Sequence, residues 1–342
     1  EAIPLSQFQE CFGAKRGKVL YRDADAGRGG WCQGFAISVG AIRKYKYPTV
    51  KSFGSSKIHD IGLYDWNSTL GMTTKEFLGK CWMIGWDRYI MNERSTNWIS
   101  QSKGSGAHSL YARLVNATKK SITGGTPIQI EFRGDVYAHT VMPLAITKNN
   151  SSATVISIYD SNYPENVQKL TIKKKNGKYY SWTYSKRDGA YATYYDLTYT
   201  SGSDDVRRVL NGGGKYALEH DMQEDAMPQT TLISTTADLE IESNGKTYFL
   251  NTDNRSQLDM VIPALGTDMS GARRLYWVGF DTSDMVVKSL SEDAEISVAN
   301  DDVLVDVSAK KGSSLRMSVS DKQHSTVKLV GDQGKINSVK CE

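Results

Sequence analysis

No run of about 18 consecutive apolar residues occurs in this chain, so no segment has the length and hydropathy of a membrane-spanning helix. Cysteine is scarce. Cys11, Cys32, Cys81 and Cys341 form no CxxC pair and no Cys/His spacing suited to zinc, so neither a metal centre nor a disulfide-dense framework is expected. With Cys32 set aside, three cysteines leave room for at most one intramolecular disulfide, a count that fits a secreted bacterial protein better than a disulfide-rich ectodomain. An excess of one charge is also missing: 42 Lys and Arg stand against 38 Asp and Glu, a net charge of +4. The Lys173-Lys174-Lys175 run abuts Asn176-Gly177, a hairpin signal, and reads as a solvated turn. Without a concentrated basic face carrying stacking aromatics, no nucleic-acid partner is expected. The chain opens at Glu1 with no initiating methionine and no apolar leader, which fits a removed signal peptide and a trimmed chain alike.

What is present divides the 342 residues into two parts. In the first, Thr73 and Glu76 have capping-box spacing and open a helix with Phe77, Cys81 and Trp82 facing inward. A further helix is predicted over Ala107 to Ser121, stopping at Gly124-Gly125. From Pro127 the pattern turns to strands: Ile128–Arg133, Tyr137–Thr147, Ala153–Tyr159, Lys169–Lys175, Lys178–Tyr184 and Ala192–Thr200. Helices followed by strands predict an α+β layout, a helical lobe against an antiparallel β lobe with a cleft between them. Gly202–Pro228, rich in glycine and charge, reads as a connection. Beyond it lie two strands within Thr230–Asn251, around Asn244-Gly245, and then Arg274–Phe280, Val286–Leu290, Ala294–Val298, Val303–Ser308, Leu315–Ser320 and Thr326–Leu329. This pattern predicts an all-β sandwich, Ig-like in layout. The expected domains are therefore 1–225 and 226–342. The second carries no catalytic constellation and is assigned to attachment or target contact, to substrate presentation, or to stabilising the first.

The most informative stretch is Gly29-Gly30-Trp31-Cys32-Gln33-Gly34-Phe35, a cysteine in a glycine-rich turn entering a helix. Phe35, Val39 and Ile42 fall at helical spacing, widened by Ile37 and Ala41, and predict one buried face. A thiol in the first turn of such a helix meets the positive end of the macrodipole, which favours the nucleophilic thiolate. The glycines permit a tight turn and leave room for a substrate chain, so Gly30, Trp31 and Gln33 are expected to border the substrate. Later, His139 stands near the start of one strand, and the next strand ends in Asp160-Ser161-Asn162-Tyr163-Pro164. The polar turn Asn149-Asn150-Ser151-Ser152 joins the two strands as antiparallel neighbours, so His139 can meet Asp160 or Asn162. His59, His108, His220 and His324 are expected to be exposed or capping residues.

With Cys32, His139 and Asp160 or Asn162 in that order, the chain resembles the papain-like cysteine peptidases. The resemblance covers about Trp31 to Trp182. It implies Cys32 as nucleophile, His139 as general base, and Asp160 as the orienting group, the carboxylate pattern of several bacterial branches, with Asn162 as the alternative. It also implies an acyl-enzyme route to peptide-bond hydrolysis, a protein or peptide substrate, no cofactor, and a secreted or cell-surface location. The chain departs from the family where a glutamine is usual six residues before the cysteine: Ala26 stands there. The second oxyanion donor is then left to Gln9, Gln33 or a residue of Tyr21–Asp25. Transglutaminase-like acyl transfer uses the same residue order, and an inactive papain-like cell-surface binding protein is the reading from another class.

Overall fold

The computed structural model describes residues 3–23, 31–100, 107–134, 138–185, 196–206, 210, 231–251, 261–263, 273–330 and 336–342. The chain forms two compact units, one spanning Gly30–Gly213 and the other joining Glu1–Gly29 to Gly214–Glu342. Where the sequence suggests one boundary near residue 225, the contacts group the first helices with the C-terminal strands. Those helices are α1 (Leu5–Phe12) and α2 (Ala14–Asp23), which meet at Gly13 with φ of 81°. They cross so tightly that a Cβ on Gly17 would lie 2.5 Å from the Phe8 carbonyl oxygen.

In the Gly30–Gly213 unit the first helix is α3 (Cys32–Tyr45). A short hairpin follows, β1 (Trp66–Asn67) and β2 (Met72–Thr73), then α4 (Thr74–Ile84) and α5 (Arg88–Thr96). The expected capping box opens α4: the Thr73 side chain accepts from the Glu76 N–H while the Glu76 carboxylate accepts from the Thr73 N–H. After β3 (Ile99–Ser100) comes α6 (His108–Ile122), close to the predicted Ala107 to Ser121. The remaining strands are β4 (Gln129–Arg133), β5 (Ala138–Asn149), β6 (Ala153–Tyr159), β7 (Gln168–Lys175), β8 (Lys178–Tyr184) and β9 (Asp196–Thr200). They form one antiparallel sheet with order β3-β9-β4-β5-β6-β7-β8. Tyr111, Leu114 and Val115 of α6 share a core with Ile130, Phe132, Ile156 and Ile172 of the sheet. The β7–β8 hairpin turns at Asn176 and Gly177, both at positive φ, as the lysine-flanked signal predicts.

The cysteine-bearing helix departs from expectation. One buried face is predicted, yet every residue from Ala36 to Ile42 is buried. The small residues that look like gaps in the apolar stripe are contact points. A Cβ on Gly34 would fall 2.6 Å from the Leu78 carbonyl oxygen of α4, and Ser203 donates to the Ile37 carbonyl at 2.8 Å. Gly34 therefore serves helix packing rather than substrate access. Residues 202–206, assigned by sequence to a connection, include the fully buried Ser203 and Val206 and belong to this core.

The second unit continues with β10 (Thr231–Thr235), β11 (Leu239–Ser243), β12 (Lys246–Leu250), β13 (Val261–Pro263), β14 (Arg274–Val278), β15 (Met285–Val287), β16 (Ala294–Ala299), β17 (Leu304–Ala309), β18 (Ser314–Ser318), β19 (Thr326–Val330) and β20 (Ile336–Cys341). Six strands, β13-β14-β10-β16-β17-β20, form one antiparallel sheet and five, β12-β11-β15-β18-β19, another. Ile233, Val298 and Val307 of the first share a core with Ile241, Leu250 and Met317 of the second, a two-layer sandwich. Thr230–Asn251 holds three strands, not two. The break lies at Thr236–Asp238, where Thr235 Oγ1 bonds both the N–H and the carbonyl of Ala237 and the chain changes sheets. Strands β13 and β20 have no counterpart in the sequence reading. Onto this sandwich α2 is fastened by Arg22, which donates to Asp306 Oδ2 at 3.0 Å and to Ser297 Oγ at 2.6 Å, while Phe12 meets Trp277 with ring centroids 6.2 Å apart.

Gly34→Ala should destabilise the protein by about 1–3 kcal/mol, because the added methyl meets backbone on α4 that cannot move without separating the helices. Urea denaturation would check this, with an unchanged midpoint counting against the tight crossing.

Candidate active site

Three separate elements bring the candidate side chains together. Cys32 begins α3, half-buried, with Trp31 at the N-cap position. His139 is the second residue of β5 and is buried. Asp160 follows the last residue of β6 and is fully buried. The predicted turn closes the β5–β6 pair: Asn150 Oδ1 accepts from the N–H groups of Ser152 (3.0 Å) and Ala153 (3.1 Å). Met142 then faces Tyr159 across the ladder, so the next position on β6 arrives beside the start of β5.

His139 Nε2 and Asp160 Oδ1 are 2.8 Å apart. Tyr184, at the end of β8, donates its hydroxyl to Asp160 Oδ2. The backbone N–H of Asn162 donates to Asp160 Oδ1 at 2.9 Å. Of the two orienting candidates, Asp160 thus supplies a carboxylate to the imidazole, and Asn162 contributes main chain to that carboxylate. Phe132, directly across from His139 on β4, packs on Tyr184 with centroids 4.7 Å apart and walls this group.

The Cys32 thiol interacts electrostatically with the His139 ring and the Thr140 backbone, and both favour its ionised form. Burial pushes the Cys32 thiol up, but the His139 hydrogen bond and charge together with the Thr140 backbone overcome it, and its pKa is lowered. Burial alone would lower His139. Hydrogen bonds to Asp160 and Cys32 outweigh it and raise the imidazole to about 9. Asp160 is lowered despite its burial, chiefly by the hydrogen bond from His139. These directions favour a thiolate beside an imidazolium that is itself held by a carboxylate. Cys81, on α4, shows the contrast: burial without such partners raises it well above an ordinary thiol.

A second buried polar group lies beside α3 and is absent from the sequence reading. Glu131 of β4 pairs with Arg94 of α5 at 3.1 Å and with Arg133. Arg94 Nη2 donates to the Gln33 carboxamide oxygen at 3.0 Å, and the Gly85 N–H does so at 3.3 Å. Gln33 is therefore engaged by its own fold, and a Cβ on Gly85 would collide with it at 1.1 Å. No local sequence signal marks this group; in the folded sheet Glu131 lies opposite Thr140, one residue from His139.

Of the remaining candidates, Gly30, Ala26 and His220 lie outside the described residues, as do Ala24 and Asp25. Gln9 and Tyr21 through Asp23 belong to α1 and α2 in the other unit, where Gln9 donates to the Ala14 carbonyl. His324 is exposed and pairs with Asp321, as expected of a surface residue. His108 differs from its expected exposed or capping role. It stacks on Tyr179 and accepts that residue's N–H at 2.9 Å, tying α6 to β8. Among the described residues, no three His, Cys, Asp or Glu side chains gather as a metal site, and no helix is long and apolar enough to cross a membrane. Comparisons with family models, with curated proteins and with solved structures give no match.

Iodoacetamide titrated against pH should label Cys32 with a midpoint below 9.0, ahead of the buried Cys11 and Cys81. His139→Ala removes the main lowering partner and leaves the burial, so the midpoint should move upward. Mass mapping of the alkylated peptides reads both values.

Proposed function

We propose that the chain is a cysteine peptidase of papain-like arrangement, hydrolysing peptide bonds through Cys32, His139 and Asp160. The observation that carries this reading is the 2.8 Å hydrogen bond between the His139 ring and the Asp160 carboxylate, with the Cys32 thiol coupled electrostatically to the same ring. In the proposed reaction the Cys32 thiolate attacks the carbonyl carbon of the scissile bond. His139 gives its proton to the departing amine, and a thioester remains on Cys32. Water, deprotonated by His139, then attacks the thioester and releases the acid, returning the proton to the imidazole–thiolate pair. Asp160 holds the ring orientation and supports its positive charge throughout. The Cys32 backbone N–H, in the first helical turn, is a donor for the tetrahedral oxyanion.

Cys32→Ala should retain the fold and lower turnover of a casein or peptide library by about 10⁴-fold or more. Retained turnover would reject the assignment. The alkaline limb of kcat/KM should fall near pH 9, where the imidazolium that protonates the leaving amine is lost. With its stabilising carboxylate removed in Asp160→Asn, that limb should move to lower pH. Repeating the assay with an added primary amine separates hydrolysis from acyl transfer.

A further inference from the structure

Trp31, at the N-cap position of α3, makes no side-chain capping bond, so the helix start that carries Cys32 lacks the usual polar cap. The residue after the nucleophile is gripped instead. The Gln33 carboxamide oxygen accepts from Arg94 Nη2 at 3.0 Å and from the Gly85 N–H at 3.3 Å. Arg94 Nη1 donates to the Gly85 carbonyl at 3.1 Å, and Arg94 Nε lies 3.1 Å from Glu131 Oε2. All three guanidinium nitrogens are thus engaged, each toward a different element: Gln33 on α3, Gly85 at the end of α4, and Glu131 on β4. A planar fork with donors in fixed directions can span these three acceptors, and a single ammonium cannot. The packing leaves no room for a Cβ on Gly85, so the grip is also closed sterically.

The Arg94 and Glu131 side chains are each 5% exposed. Apolar side chains of similar volume commonly hold a core together as well as a buried ion pair does, so stability alone does not account for this one. What apolar packing cannot do is fix the direction of a carboxamide. The charges also bear on the thiol. Burial and, after it, the charge of Glu131 oppose the Cys32 thiolate. Burial holds the Arg94 guanidinium below its ordinary value, against the pull of Glu131 and, more weakly, of the Cys32 thiolate. We propose that Arg94 is a positioning residue for the nucleophile: by gripping Gln33 it fixes the first turn of α3 and keeps the Cys32 thiol beside the His139 ring. The proposal deepens the cysteine-peptidase reading, on which its catalytic consequence rests.

Iodoacetamide labelling of the full-length protein tests this without reference to turnover. Gln33→Met removes the acceptor and changes no charge, so alkylation of Cys32 at pH 7 should slow by about fivefold or more. The exposed Cys341, mapped in the same digest, should keep its rate. Arg94→Lys keeps the charge but loses the fork and should slow Cys32 to a similar extent. Circular dichroism would establish that the variants fold, and Gln33→Met leaves the Arg94–Glu131 pair in place should Arg94→Lys not fold. In a His139→Ala background, Gln33→Met should change the rate by less than about twofold, because the ring through which the grip acts is gone. Undiminished labelling of Gln33→Met, or equal slowing with and without His139, would overturn the proposal. In peptide hydrolysis Gln33→Met should lower kcat by about tenfold with KM held within about twofold. Slowed labelling with no peptide turnover by the unaltered protein would reject the peptidase reading and leave the positioning role standing. Turnover by the unaltered protein, with labelling indifferent to Gln33→Met, would reject the positioning role alone.

Discussion

The hydrogen bond between His139 and Asp160 exists because two neighbouring strands run antiparallel with a fixed offset, and the rest of the site is arranged around that pair. Side chains alternate along a strand, so a slip of one residue in the β5–β6 register would send Asp160 to the opposite face from His139. The Asn150 turn at one end and the Met142–Tyr159 pairing at the other hold that offset. Pro143, which cannot donate to the ladder, sits where the register shifts, so the strand absorbs it without losing the pairing beside His139.

Burying a carboxylate as fully as Asp160 is unfavourable unless its oxygens find donors. Here an imidazole, a phenol and a backbone N–H approach it from three places in the chain. Glu131 is treated in the same way, between Arg94 and Arg133. Such groups add little net stability, but each removed partner leaves a buried charge exposed to a poor dielectric. The helix start that carries Cys32 is consequently held from two sides, by the imidazole at the sulfur and by Arg94 at the adjacent Gln33.

Local patterns carried much of this structure. Periodicity and turn residues put β6 and β8 at their observed bounds and opened α4 at its cap, and the Cys32 turn, His139 and Asp160 stood out through their position at element ends. The failures have a common cause, which is contact between residues distant in sequence. Nothing local distinguishes Gly34 as a helix crossing from Gly34 as a loop hinge. Arg94 and Glu131 are ordinary polar residues until the fold buries them beside Gln33. The break between β10 and β11 escaped notice because apolar alternation continues on both sides of it while the chain passes from one sheet to the other.

The grouping of Glu1–Gly29 with Gly214–Glu342 makes the Cys32-bearing unit an insert, interrupting its companion in sequence. During ribosomal synthesis α1 and α2 emerge before the insert, with Phe8, Phe12, Val19 and Leu20 made to be covered. The strands of their own unit follow only after the whole insert has been translated. The helices must therefore wait, unpaired, while the insert has all its residues available to fold. The sandwich strands are translated only after the insert, so a ribosome that stalls between residues 214 and 342 would release a molecule with its thiol site complete and helices α1 and α2 unsheltered.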